Sequence, residues 1–138
     1  MPHLAFDLSI TPPEDARARF TNAVIRNAVI RQFSQIMDTG AFHIAVSLRC
    51  LSRQDVIFGR SDPSHGTAVV NADLRRGRSP DQKRKLALAL ISELEAVLGI
   101  PPQNVYVVFT EHDGPDFQMH DGVLPSWLAG EDPLKDMR

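Results

Sequence analysis

One kind of helix start occurs twice in this chain, and the repetition limits the folds open to it. Thr11-Pro12-Pro13-Glu14 and Ser79-Pro80-Asp81-Gln82 stand 68 residues apart. Each offers a hydroxyl for the N-cap, proline in the first turn, and an acid or amide three residues on. Each also follows a strand signal. Residues 2–9 carry Leu4, Phe6 and Leu8 on one face, and residues 67–74 hold the apolar run Ala68-Val69-Val70. After the first start, Phe20, Ala23, Val24, Asn27, Ala28, Ile30 and Phe33 recur near a 3.6-residue period until Asp38-Thr39-Gly40. After the second, Leu86, Leu90, Leu94 and Val97 form the stripe, and Gly99 before Pro101-Pro102 reads as a C-terminal cap. Each helix leads into another strand. Residues 42–49 carry Ile44, Val46 and Leu48 on one face, and residues 105–110 form the last regular strand.

The order strand, helix, strand, twice over, predicts an α+β fold. A crossover helix imposes parallel pairing within each half. Two halves side by side give a four-stranded sheet with two helices on one face. The other face is then expected to be apolar and covered by a partner subunit. The chain reads as one domain over residues 1–128, with repeats at about 2–49 and 67–110. Residues 50–63 read as a loop, with 56–58 a candidate short strand. The tail 129–138 reads either as an arm over a neighbour or as disordered.

Composition excludes several classes. A formal net charge of −2 gives no global field for nucleic acid or an anionic membrane. The single Cys50 forms no internal disulfide, which fits a reducing compartment, and no stretch approaches the ~20 apolar residues of a membrane span. No basic segment followed by an apolar core marks a secretory signal, so the expected location is cytoplasmic. His3, His43, His65, His112 and His120 include no pair at the i,i+4 spacing of a helical metal site. No metal and no cofactor are expected.

The residues that carry chemistry are few. Initiator methionine is usually trimmed before a small residue, and proline permits this. Removal of Met1 would free the nitrogen of Pro2 as a secondary amine, whereas inside a chain it is an amide without basicity. In an apolar pocket the protonated amine loses solvation and its pKa falls toward neutrality. Arg75-Arg76-Gly77-Arg78 sits between a strand and a helix start, where planar guanidinium donors and helix amides suit a small carboxylate. The plain alternative is a solvated basic turn. His120 is a candidate acid–base group or a solvated loop histidine, and Asp38 is a candidate site residue or a turn residue. Phe42, Phe109 and Phe117 are candidates for an apolar pocket wall or for core packing.

Taken together, Pro2 opening the first strand, the doubled strand–helix–strand unit and the segment from Leu74 to Lys83 resemble the tautomerase superfamily. The similarity is greatest to its long trimeric branch, which holds malonate semialdehyde decarboxylase and relatives of cis-3-chloroacrylic acid dehalogenase. Gly99-Ile100-Pro101-Pro102-Gln103-Asn104-Val105-Tyr106-Val107 and Asp116-Phe117-Gln118-Met119-His120-Asp121-Gly122 also fit that branch. The resemblance implies a tautomerase/MIF-like homotrimer. It makes Pro2 the general acid or base, and Arg75 with Arg78 the pair that holds the substrate carboxylate. In the decarboxylase branch that pair would be Arg76 with Arg78. The chain also departs from the pattern. Val29 or a neighbour takes the place of the dehalogenase histidine, Val108 that of its tyrosine, and His120 falls near its glutamate, while Asp38 lies near the decarboxylase aspartate.

The activity expected first is cofactor-independent tautomerisation of a small 2-oxo acid or its enol. The alternatives are decarboxylation, hydration or dehalogenation of a three-carbon acid, or a non-catalytic trimeric binding protein if Met1 is retained.

Overall fold

The structure is a computed structural model and describes residues 3–30 and 44–123. Strand β1 (His3–Leu8) leads to helix α1 (Glu14–Ala23), which continues as a wider π-helical segment over Val24–Ile30. Strands β2 (Ala45–Cys50) and β3 (Ala68–Arg75) follow, then helix α2 (Pro80–Leu98) and strand β4 (Val105–His112). A hairpin of two-residue strands, β5 (Gln118–Met119) and β6 (Gly122–Val123), comes after. The last regular strand is thus two residues longer than its apolar pattern, because Glu111 and His112 still pair with Leu74 and Arg75.

The main sheet has the order β2-β1-β3-β4. β1 runs parallel to β2, and β3 parallel to β4, as crossover helices require. The two halves meet antiparallel through β1 and β3, with His3 opposite Asp73 and Leu8 opposite Ala68. The start of β1 therefore lies at the same sheet end as the finish of β3.

Alternation sets the core. Leu4, Phe6 and Leu8 of β1, with Ala68, Val70, Ala72 and Leu74 of β3, are almost wholly buried together with Phe20, Val24, Leu86, Leu90 and Leu94 from the helices. Phe6 and Phe20 meet edge to face, with ring centroids 5.0 Å apart.

The two helix starts are not alike. At Ser79 the reciprocal box is complete: its hydroxyl accepts from the Gln82 N–H, and the Gln82 side chain accepts from the Ser79 N–H. Gly99 ends α2 at φ 70°, the left-handed conformation in which a Cβ is costly. The box expected at Thr11 is absent. α1 begins at Glu14 with Pro13 as its cap and no side-chain hydrogen bond. Consecutive prolines hold the preceding residues extended, which moves Thr11 too far from the first free amides to cap them.

Two further expectations are corrected. Residues 56–58 form no strand but run between tight turns, closed by Asp55 N–H to Ser52 O and Ser61 N–H to Phe58 O. The sheet face away from the core is also largely polar. Arg49 makes a paired contact with Asp7 at 2.7 and 2.8 Å, and Thr110 donates to Asn71 at 3.0 Å. Strict alternation puts every second residue of these strands outward, and most of those places hold hydrogen-bonding groups. Among the described residues, only Tyr106 and Val108 of β4 present large exposed apolar surface there.

Candidate active site

Three strand ends converge at one edge of the main sheet. β1 starts there, β3 finishes there and turns into the arginine segment, and β4 finishes there before the late loop. Cross-strand partners leave a sheet on the same face. His3 is partner to Asp73, and Arg75 is partner to His112, so these four side chains share the face away from the helices.

Asp73 ties this group together. One carboxylate oxygen lies 3.2 Å from His3 Nδ1, and the other lies 3.0 Å from His112 Nε2. Burial pushes the Asp73 carboxyl up. Hydrogen bonds to His112, Asn71 and His3, with the charge of His112, more than offset this and hold its pKa below the ordinary value. His3 Nε2 also lies 3.3 Å from Ser47 Oγ on β2, so the network crosses the sheet from β2 to β4. The ring of His112 meets Phe117 edge to face at 5.7 Å. His3, Asp73, His112, Asp116, Phe117 and Gln118 line a cleft of about 350 Å³.

The arginines divide by environment. Arg75 and Arg78 are buried, at 1% and 6% exposure. The Arg76 side chain is 61% exposed and donates to Asp113 at 2.8 Å, bracing the turn against the end of β4. The Arg76 N–H also donates to the His112 carbonyl at 2.9 Å. Gly77, between Arg76 and Arg78, adopts φ 112°, a conformation open to glycine alone at little cost. Lys83 and Glu111 form an ion pair that closes the side of this turn.

The remaining candidates are spread more widely. Phe117 is in the cleft. Phe109 lies apart, in a groove of about 650 Å³ between β4 and α2 with Tyr106 and Lys83. His120 is exposed at the turn joining β5 and β6 and is not among the cleft residues. Pro2, Asp38 and Phe42 lie outside the described residues, although Pro2 is bonded to His3, the first residue of β1. Sequence reasoning missed Asp73, and it did not single out His3 or His112. The signal available was a histidine at the start of the first strand and another at the end of the last.

The comparisons with known proteins agree with this architecture. The chain belongs to the tautomerase family whose model is described as a tautomerase enzyme and matches residues 42–119. Similar solved structures include a fused 4-OT wild-type protein determined as a symmetric trimer, 25% identical, with TM-score 0.73, covering 94% of this chain and 99% of that one. Another is macrophage migration inhibitory factor of Toxoplasma gondii, 18% identical, with TM-score 0.72, covering 88% and 99%. A third is a member of the cis-3-chloroacrylic acid dehalogenase family, 23% identical, with TM-score 0.70, covering 90% and 84%. No functionally curated protein matches the chain in sequence.

Proposed function

We propose that this protein is a cofactor-independent tautomerase acting on a small 2-oxo acid or its enol, with the amine of Pro2 as the proton-transfer group. The observation that carries this reading is the antiparallel pairing of β1 with β3. It brings His3, the covalent neighbour of Pro2, beside Asp73 at the sheet end from which buried Arg75 and Arg78 follow. A tautomerase needs a base near neutrality and a fixed positive site for the substrate carboxylate. The neutral amine takes a proton from carbon or oxygen of the substrate and returns it to the other atom. Arg75 and Arg78 hold the carboxylate and stabilise enolate charge. Their burial favours this pair over Arg76 with Arg78, since the Arg76 side chain is solvated. The working particle in this reading is a homotrimer, in keeping with the fused trimer to which the fold is similar.

The test is intact mass of the native protein, followed by phenylenolpyruvate ketonisation in the same sample. Loss of Met1, with activity that disappears in Pro2→Ala, is the expected result. A chain that keeps Met1 and has no activity defeats the reading and leaves a non-catalytic trimer.

A further inference from the structure

Moving a proton between carbon and oxygen involves two substrate atoms, and the amine of Pro2 is one group. We propose that His112, oriented by Asp73, is the second acid–base residue of this site and serves the substrate oxygen while Pro2 serves the carbon. This inference rests on the tautomerase reading and assigns a role within the same site. The sequence offered His120 or Asp38 as candidates for such work; His120 lies exposed on the β5–β6 turn, outside the cleft, and Asp38 lies outside the described residues.

The geometry favours His112 for three reasons. It stands opposite Arg75 in the β3–β4 ladder, so a carboxylate held by that arginine has His112 on the same sheet face. Its ring lines the cleft and is braced by Phe117 at 5.7 Å. Its Nε2 is 3.0 Å from Asp73. An ionised carboxylate only accepts hydrogen bonds, so Nε2 carries the proton and Nδ1 is left as the working nitrogen. The depressed pKa of Asp73 keeps that carboxylate ionised through the neutral range. Among the described residues, the charged and titratable groups around His112 are Asp73, Arg75 and Arg76 at the end of β3, His3 of β1 bound to the same carboxylate, and Asp113 and Asp116 of the following turn.

The step balances with no added reagent. In ketonisation, His112 Nδ1 takes the enol O–H proton and the oxygen electron pair forms C=O. The C=C pair takes a proton from the Pro2 ammonium. The enzyme is left with a protonated His112 and a neutral Pro2. Exchange with water resets both for the next turnover; the His112 side chain is 35% exposed.

The experiment is phenylenolpyruvate ketonisation by the full chain and its variants, read as kcat, KM and the pH profile of kcat. His112→Gln keeps a polar planar side chain but cannot take up a proton. It is expected to lower kcat about 100-fold with KM within about 2-fold, and to remove one limb of the pH profile. Asp73→Asn is expected to lower kcat about 10-fold by releasing the imidazole tautomer. It decides the matter if His112→Gln does not fold: unchanged kcat in Asp73→Asn then overturns the proposal. A folded His112→Gln with wild-type kcat also overturns it and returns both transfers to Pro2. An inactive Pro2→Ala beside a fully active His112→Gln defeats this inference alone. Full activity in Pro2→Ala, or none in the wild type, defeats the tautomerase reading and the inference with it.

Discussion

Arg75 and His112 stand opposite each other across the parallel β3–β4 ladder, and their side chains leave the sheet on the same face. Arg75 ends one strand and His112 ends the next, so the arginine turn and the late loop begin at a common edge. The antiparallel β1 brings its first residue, His3, to that edge as well. The candidate site thus depends on pairing direction more than on any local motif.

Pro2→Ala is expected to reduce the proton-transfer rate by about 10²–10⁴-fold, the span typical of losing a positioned acid–base group. The size of the assembled particle should be unchanged. Steady-state kinetics with size-exclusion chromatography checks both, and full activity in the variant would remove Pro2 from the mechanism.

Arg78→Ala removes a buried guanidinium, and charge-assisted hydrogen bonds contribute roughly 1.5–3 kcal/mol. KM for a carboxylate substrate should therefore rise by about 10–100-fold, and far less for a neutral aldehyde. Arg76→Ala serves as the control. Its exposed pair with Asp113 contributes at most about 1 kcal/mol, so both substrates should be little affected. Equal losses on the two substrates in Arg78→Ala would make Arg78 structural.

Ser79→Ala breaks the reciprocal box at the start of α2 and should cost about 0.5–2 kcal/mol in urea unfolding. Thr11→Ala should leave α1 capping unaffected, because that helix begins at Glu14 without a side-chain cap. Equal losses at both positions would contradict the difference between the two helix starts.

Asp73 has a lower pKa in the folded state than its ordinary value of 3.8. Its network therefore contributes stability that is present above the unfolded value and is lost as pH falls through the folded one. Asp73→Asn should show a flatter dependence of Tm on pH as the pH falls below the ordinary carboxylate value. Parallel curves for the two proteins would show that the carboxylate carries no such linkage.

Sedimentation or light scattering should give about three chains per particle, following the homotrimer reading. A stable monomer would count against that reading and against any site completed by a neighbour.

Much of the fold is legible locally. Leu4, Phe6 and Leu8 at every second position, and Leu86, Leu90 and Leu94 at every fourth, specify a buried strand face and a buried helix stripe without reference to the rest of the chain. Ser79-Pro80-Asp81-Gln82 announces its helix because every group in the box is within one turn. Thr11 misleads because it supplies the same residue types with one proline more. The outer sheet face misleads because short apolar runs such as Ala68-Val69-Val70 do not show which residues point away from the core. The candidate site is legible only in part. The arginine segment stands out by composition. Asp73 is one acid within a strand until its neighbours are known.

The sequence by itself determined the doubled strand–helix–strand order, the parallel pairing within each half and the arginine turn between β3 and α2. All of these follow from periodicity, capping and chain connectivity over short distances. Only the tertiary structure decided that the halves meet antiparallel through β1 and β3, and that Asp73 joins His3, 70 residues before it, to His112, 39 residues after it. Register between distant strands depends on packing the whole core at once, and no local pattern in this chain encodes it.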